Sequence, residues 1–185
     1  MIITMTGVPC SGKSSVVNYL KDKYDFKVIS ISKIFRERAS ELGVDALKLN
    51  QMIQEGKMDQ SLDKQMDELS VKLGKEYDGQ RVIFDSRLAW HFVPNSFKVY
   101  IVVSPEVMLE RLKNSDRAEN EKNAESSLGN SLLERYNIEN ARFKEMYGVD
   151  HKNLSNYDFV IDNSNLTIEE TAEKIYEEYL KFVNK

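Results

Sequence analysis

Residues 7 to 14 read Gly-Val-Pro-Cys-Ser-Gly-Lys-Ser, and those types at that spacing suit one task, holding a chain of phosphates. The glycines let the backbone wrap close to an anion and aim amide N–H groups at it. A helix starting directly behind the loop adds the partial positive charge of its N-terminus. Lys13 would then bridge the terminal phosphates as a point charge, and Ser14 would offer its hydroxyl to a magnesium ion. Cys10 reads as a spacer whose backbone matters more than its sulfur. A turn that binds nothing gives no packing reason for a Lys-Ser pair behind Gly12.

Asp85 follows the apolar run Val82-Ile83-Phe84. A carboxylate at the C-terminal end of a strand stands where open α/β sheets bind ligands, and there it could orient magnesium. The other reading is an aspartate that caps the next turn. Arginines are the natural clamps for a phosphoryl group in transfer, because the planar guanidinium binds phosphate in a fork and stays charged. Arg36 lies about one helical turn after the second strand candidate, and Arg87 two residues after Asp85. Arg135 and Arg142 are spaced to share one side of a helix, with Glu139 between them. Arg111 and Arg117 flank the start of a polar stretch. Singly, each reads as a surface arginine; with a phosphate loop, the set suggests clamps on donor and acceptor phosphates.

These residues need a scaffold, and the pattern predicts one. Strands are expected at Met1–Met5, Lys27–Ile31, Arg81–Phe84, Lys98–Val103 and Asp158–Ile161. Helical periodicity covers Lys13–Lys23, with Val16, Val17 and Leu20 on one face. It dominates again from Ile34 to about Tyr77, as two or three helices broken near Gly43 and Gly56. Ser104 and Pro105 form a helix start, and Thr167 with Glu170 forms a capping box. The stripe of the last helix is Ile168, Ala172, Ile175, Tyr176, Tyr179 and Val183. Strands alternating with helices predict a parallel α/β sheet covered on both faces. Residues 114 to 131 contain almost no large apolar side chain and read as a surface insertion or a mobile lid. A lid would keep water from the reacting phosphate.

The chain has 185 residues, 41% hydrophobic and 30% charged, with a net charge of −4. That length predicts one domain, 1–185, able to bury a full core. The acidic balance argues against nucleic acid as the main partner. The single cysteine excludes an internal disulfide, so a cytoplasmic compartment is expected. The longest apolar run, Val99 to Val103, predicts no membrane span, and the N-terminus carries no leader pattern.

With these residues in place, the chain resembles the nucleoside monophosphate kinases, and within them the short, archaeal-type cytidylate kinases. Ser30-Ile31-Ser32-Lys33-Ile34-Phe35-Arg36 is similar to the segment that opens the acceptor-binding region. Asp85-Ser86-Arg87-Leu88-Ala89 looks like the family's acidic-Gly-Arg-Leu-Ala stretch. Arg135 to Arg142, with Glu139 and Asn140 inside, resembles the lid signature Arg-x-x-x-Asp-Ser-x-Arg. Tyr147-Gly148-Val149-Asp150 and Asn156 to Asp162 look like C-terminal landmarks of the short branch. The departures are Ser32-Lys33 for Gly-Asp, Ser86 for glycine, and Glu139-Asn140 for Asp-Ser. Ala118 to Ser131 has no counterpart.

The resemblance implies a three-layer P-loop kinase fold with a five-stranded parallel sheet, an acceptor-binding insertion at about 33–78 and a lid at about 114–145. It implies a monomer that moves the γ-phosphoryl group of ATP, with Mg²⁺, to CMP or dCMP. Gly7, Val8, Pro9, Cys10, Ser11, Gly12, Lys13, Ser14 and Ser15, with Arg111, would hold the donor. Ser30, Arg36, Asp63, Arg87, Glu139 and Arg142 would seat the acceptor. Lys13, Arg117, Arg135 and Arg142 would serve the transferred group, and Ser14 and Asp85 the metal. Kinases of other small acceptors are the nearest alternative. The Asp-x-Asp pair and triple glycine of shikimate kinases are absent, as are the Asn-Lys-x-Asp and Asp-x-x-Gly motifs of GTP switches.

Overall fold

The computed structural model describes residues 1–57, 61–114 and 125–184; the side chains of residues 54, 61–63, 125–132 and 135 also lie outside the described set. Five strands form the sheet: β1 (Ile2–Gly7), β2 (Lys27–Ser30), β3 (Val82–Asp85), β4 (Ser96–Val102) and β5 (Phe159–Asp162). Their order is β2-β3-β1-β4-β5, and every pairing is parallel. The helices are α1 (Lys13–Tyr24), α2 (Ile31–Glu41), α3 (Ala46–Gln54), α4 (Ser61–Glu76), α5 (Ala89–Phe92), α6 (Pro105–Lys113), α7 (Glu125–Tyr147) and α8 (Ile168–Val183).

Side chains alternate across a strand, and β1 uses both faces. Ile3 and Met5 pack with Val16, Val17 and Leu20 of α1 and with Ile175 and Tyr179 of α8. Ile2 turns to the opposite face, against Phe84, Ala89 and Val93, with Leu69 and Leu73 of α4 behind them. A third cluster joins Trp90 and Tyr100 to Phe143 of α7 and to Tyr157. It ties the long helix of the expected lid to the sheet. None of the helices among the described residues is long and apolar enough to cross a membrane.

The structure moves several expected boundaries. Ile31 opens α2 instead of ending β2, because the Ser30 hydroxyl caps the helix by accepting from the Lys33 amide at 3.2 Å. Gly43 and Gly56 do end helices, with φ of 70° and 67°, where a side chain would be strained. The expected cap at Ser104 and capping box at Thr167 both form. Ile168 and Val183, part of the expected apolar stripe of α8, are each 41% exposed. They sit at the two ends of the helix, while Ala172, Ile175 and Tyr179 between them are buried. Residues 125–131, part of the polar stretch, form the first turns of α7.

His151 is fully buried, and neither ring nitrogen has a hydrogen-bond partner among the described residues. Its ring stands edge-on to Tyr136 and Phe143, while its backbone N–H donates to Asn140 Oδ1. Burial, with the Arg87 charge next, pushes its pKa down to about 3. The folded-state value is thus below the ordinary one of about 6.5. Below that pH the unfolded chain takes up a proton that the folded chain refuses. The stability this group contributes is full above about pH 6.5 and falls by about 1.4 kcal/mol per pH unit as pH drops toward 3. Urea midpoints measured from pH 7 to pH 5 should therefore fall more steeply in the wild type than in His151→Phe. Parallel curves would rule out this titration.

Candidate active site

β1 lies between β3 and β4 in the sheet; the chain runs from β1 past β3 to β2, and from β3 past β1 to β4, so neighbouring strands connect in opposite directions. This is the switch point at which open α/β sheets leave a crevice beyond their strand ends. Gly7 ends β1 beside Ile101 of β4, and Met5 pairs with Asp85. A Cβ on Gly7 would stand 2.8 Å from Ser11 Oγ and 2.9 Å from the Ile101 carbonyl, so only glycine lets the loop fold back this tightly. The turn then runs through positive φ at Cys10 (57°) and Gly12 (77°) before α1 starts at Lys13. Positive φ is ordinary for glycine and strained for cysteine. That strain is held by the Ser11 N–H donating to the Val8 carbonyl and by Asn163 Nδ2 donating to the Ser11 carbonyl at 2.7 Å.

Lys13 forms a close ion pair with Asp85, which is only 6% exposed. Asp85 also accepts from the Ser30 hydroxyl at 3.0 Å, a bond set by the register Ser30↔Asp85. Ser30 therefore caps α2 and steadies Asp85, and it lines a side cleft with Ser14, Lys33, Arg36 and Asp85. The capping alternative for Asp85 is not what forms. The turn behind it is capped by Ser86, whose Oγ accepts the amides of Leu88 and Ala89 at 3.3 Å. Where the resembled family carries glycine, this chain carries a serine that holds the turn leading into α5.

A groove of about 840 Å³ runs along the phosphate loop, bordered by Gly7 to Ser15, Asp85, Arg111, Asn163 and Thr167. Arg111 reaches the loop through Asn163. Its guanidinium donates to the Asn163 side chain at 3.0 Å and to the Asn163 carbonyl at 2.8 Å. Asn163 thus links β5, α6 and the loop, and sequence reasoning missed it. Its place directly after the fifth strand was the available signal, by the same strand-end rule that marked Asp85.

A second cavity, about 70 Å³, lies between α2, α3, α4 and α7. Arg36, Arg87, Glu139 and Arg142, expected at the acceptor, all line it. Arg87 forms an ion pair with Glu139. Arg142 donates to Asn50 Oδ1 at 2.7 Å, and Asn50 Nδ2 donates to Glu139 Oε1 at 3.2 Å. Glu139, Arg142 and Asn50 are 8%, 4% and 0% exposed. Charges this dry persist only when paired and hydrogen-bonded. The Arg87 guanidinium also lies over the Tyr136 ring at 5.2 Å, and Tyr136 is hydrogen-bonded through its hydroxyl to Tyr100. Asn50 and Tyr136 were not singled out from sequence. Asn50 sits on the buried face of α3 between Ala46 and Ile53, where a polar residue needs a reason.

Ser32, Arg36 and Arg87 line both the groove and the second cavity. The two spaces therefore meet at two arginines, the arrangement needed to bring two phosphate-bearing molecules together. Arg36 is exposed there, and Lys33 turns outward to pair with Glu37. Arg117 lies outside the described residues, as do the side chains of Asp63 and Arg135.

The chain matches the family model for the AAA domain over residues 3–137. It is 33% identical to the cytidylate kinase of Methanosarcina acetivorans over 88% of this chain and 87% of that one. It is 32% identical to an S-adenosylmethionine-dependent nucleotide dehydratase of Lacinutrix mariniflava over 97% of this chain, which spans 36% of that relative's length. In three dimensions it matches a shikimate kinase of Bacteroides thetaiotaomicron with a TM-score of 0.62 at 12% identity, covering 97% of this chain and 98% of that one. At that identity the likeness concerns the fold, that of a P-loop kinase. The phosphate loop, the arginine-lined junction and the matched sequence agree, and the chain belongs to the cytidylate kinase family.

Proposed function

We propose that this chain is a nucleoside monophosphate kinase that moves the γ-phosphoryl group of ATP to CMP or dCMP. The observation that carries the reading is the junction at Ser32, Arg36 and Arg87, where a phosphate-loop groove opens onto a cavity lined by paired charges. In this reading the loop amides and Lys13 hold the donor phosphates, and Arg111 borders the donor base. Arg36 and Arg87 receive the acceptor phosphate, while Glu139 and Arg142 seat its nucleoside. Arg117 and Arg135 belong to the same proposal as clamps on the transferred group. We take the enzyme to act as a cytoplasmic monomer on free nucleotides.

The residues fit a magnesium ion. Ser14 and Asp85 border one groove, and a hydroxyl and a carboxylate with phosphate oxygens make a usual ligand set for Mg²⁺. Among the described residues no group of three His, Cys, Asp or Glu side chains could hold a metal by itself. Bound there, the ion would neutralise charge on the phosphate oxygens.

The protein's own contribution is alignment and charge. An oxygen of the acceptor phosphate attacks the γ-phosphorus, and the bond to the β-phosphate oxygen breaks, leaving ADP and a nucleoside diphosphate. The attacking oxygen is already anionic, so no side chain need act as a strong base. Charge spreads over the transferred group's oxygens, and fixed cations at that point lower the barrier. Lys13 and Arg87 each begin in an ion pair with a carboxylate. Each is thus held in place before substrate arrives, and phosphate competes for it.

Three outcomes follow from this reading. With ATP and Mg²⁺, chromatography should find ADP and CDP only when CMP is present; transfer to none of CMP, dCMP or UMP would sink it. Lys13→Ala should lower transfer about 10²- to 10³-fold while circular dichroism stays that of the wild type. Undiminished turnover would take the loop out of the mechanism. Asn163→Ala removes the bond to the Ser11 carbonyl and the anchor of Arg111, so it should raise the KM for ATP several-fold and leave that for CMP unchanged. A change confined to CMP would contradict the placement of the donor.

A further inference from the structure

Helix α7 reaches Arg87 in two chemically different ways. Tyr136 and Glu139 are three residues apart on it, which makes them neighbours on the helix surface, and both meet the same guanidinium. Glu139 forms its ion pair at Nη1, while the Tyr136 ring lies 5.2 Å from Cζ, against the face of the group. Carboxylates and phosphates bind a guanidinium at its N–H edges. An aromatic ring binds by the attraction between the cation and the negative face of its π-system. A phosphate that took the place of Glu139 would therefore leave the ring contact as it was.

We propose that Tyr136 is a positioning residue, whose ring holds the Arg87 guanidinium in line for the acceptor phosphate while Glu139 is exchanged for it. This rests on the reading of Arg87 as a ligand of the acceptor phosphate. Tyr136 borders neither the groove nor the second cavity, so it acts through Arg87 and not on a substrate. The ring is itself fixed from several sides. It is 5% exposed, and its hydroxyl is hydrogen-bonded to that of Tyr100 on β4. His151 stands edge-on to it at 4.7 Å. The circuit closes through Tyr157, whose hydroxyl donates to the His151 carbonyl at 2.7 Å and whose ring leans on Tyr100 at 4.7 Å. All four side chains are buried, so the path from the sheet to the guanidinium is dry throughout. Burial also pushes the Tyr100 and Tyr136 hydroxyls up in pKa, which keeps both neutral beside the arginine. The other cation near the ring, Lys152 at 4.8 Å, borders neither space.

The test is steady-state kinetics with CMP and ATP, beside thermal melts, on the wild type, Tyr136→Leu and Tyr136→Phe. Leucine keeps apolar bulk and removes the π face. It should raise the KM for CMP about 3- to 30-fold and leave that for ATP unchanged. Phenylalanine keeps the face and loses the bond to Tyr100. It should lower the melting temperature and hold the wild-type KM for CMP. In an Arg87→Ala background, Tyr136→Leu should add nothing further, because coupled residues are not additive. A KM for CMP unmoved by Tyr136→Leu overturns the proposal. Equal rises in the leucine and phenylalanine variants, or equal rises for CMP and ATP, make the tyrosine a structural support and overturn it too. So does the same cost for Tyr136→Leu with and without Arg87. A wild type that transfers to no nucleoside monophosphate, or an Arg87→Ala variant with the wild-type KM for CMP, removes the underlying reading and this role with it. Should Tyr136→Leu fail to fold, Tyr136→Met, whose flexible chain fills irregular space, takes its place with the same outcomes. Should Arg87→Ala be too slow to measure, the contrast between leucine and phenylalanine decides.

Discussion

Parallel pairing of β1 with β3 is the constraint on which the site depends. The register Met5↔Asp85 brings the carboxylate level with the start of the phosphate loop, and the ion pair to Lys13 follows from it. Shifting β3 by one residue would turn Asp85 to the other face of the sheet and take Ile83 and Phe84 out of their separate cores. The apolar alternation that fills both faces therefore also fixes where the charge stands. Packing and the placement of the Lys13–Asp85 pair are specified by the same hydrogen-bond ladder.

The site also neutralises itself. Cations left unpaired in a dry cleft would repel one another and resist burial. Here Lys13 leans on Asp85 and Arg87 on Glu139, while Arg142 donates to the Asn50 amide oxygen. In the proposed function a phosphate would exchange for these partners, so part of its attraction would be offset by separating the pairs. The second cavity, about 70 Å³, belongs with this, since Arg87, Glu139 and Arg142 line it in their paired state.

Much of this was legible beforehand, for physical reasons. The phosphate loop announces itself because glycine geometry and the Lys-Ser pair are local requirements. The strands were legible because parallel strands are apolar runs, and the helix caps because Ser104, Thr167 and Glu170 act within one turn. Long-range pairings were not. Nothing near Asn163 in sequence says that it will hold the Ser11 carbonyl, 152 positions away. Asn50 and Glu139 are 89 positions apart, and Asp67 meets Tyr147 across 80. Ile31 was misread because a serine before an apolar residue looks alike inside a strand and at a helix cap. The exposure of Ile168 and Val183 is not legible, because periodicity reports the face of a helix and not how far its cover extends. The family's motifs named Arg36, Arg87, Glu139 and Arg142, and the structure gathers these four around one cavity.

One minor bond has a practical consequence. The chain has a single tryptophan, and the indole N–H of Trp90 donates to the Arg87 carbonyl at 3.0 Å. Its ring lies against Tyr157 at 5.5 Å, inside the cluster that holds α7 to the sheet. Indole emission is sensitive to the polarity and hydrogen bonding around the ring. A shift of the Arg87 backbone or of α7 would disturb that surrounding, so the protein carries an intrinsic fluorophore tied to a residue at which the groove and the second cavity meet.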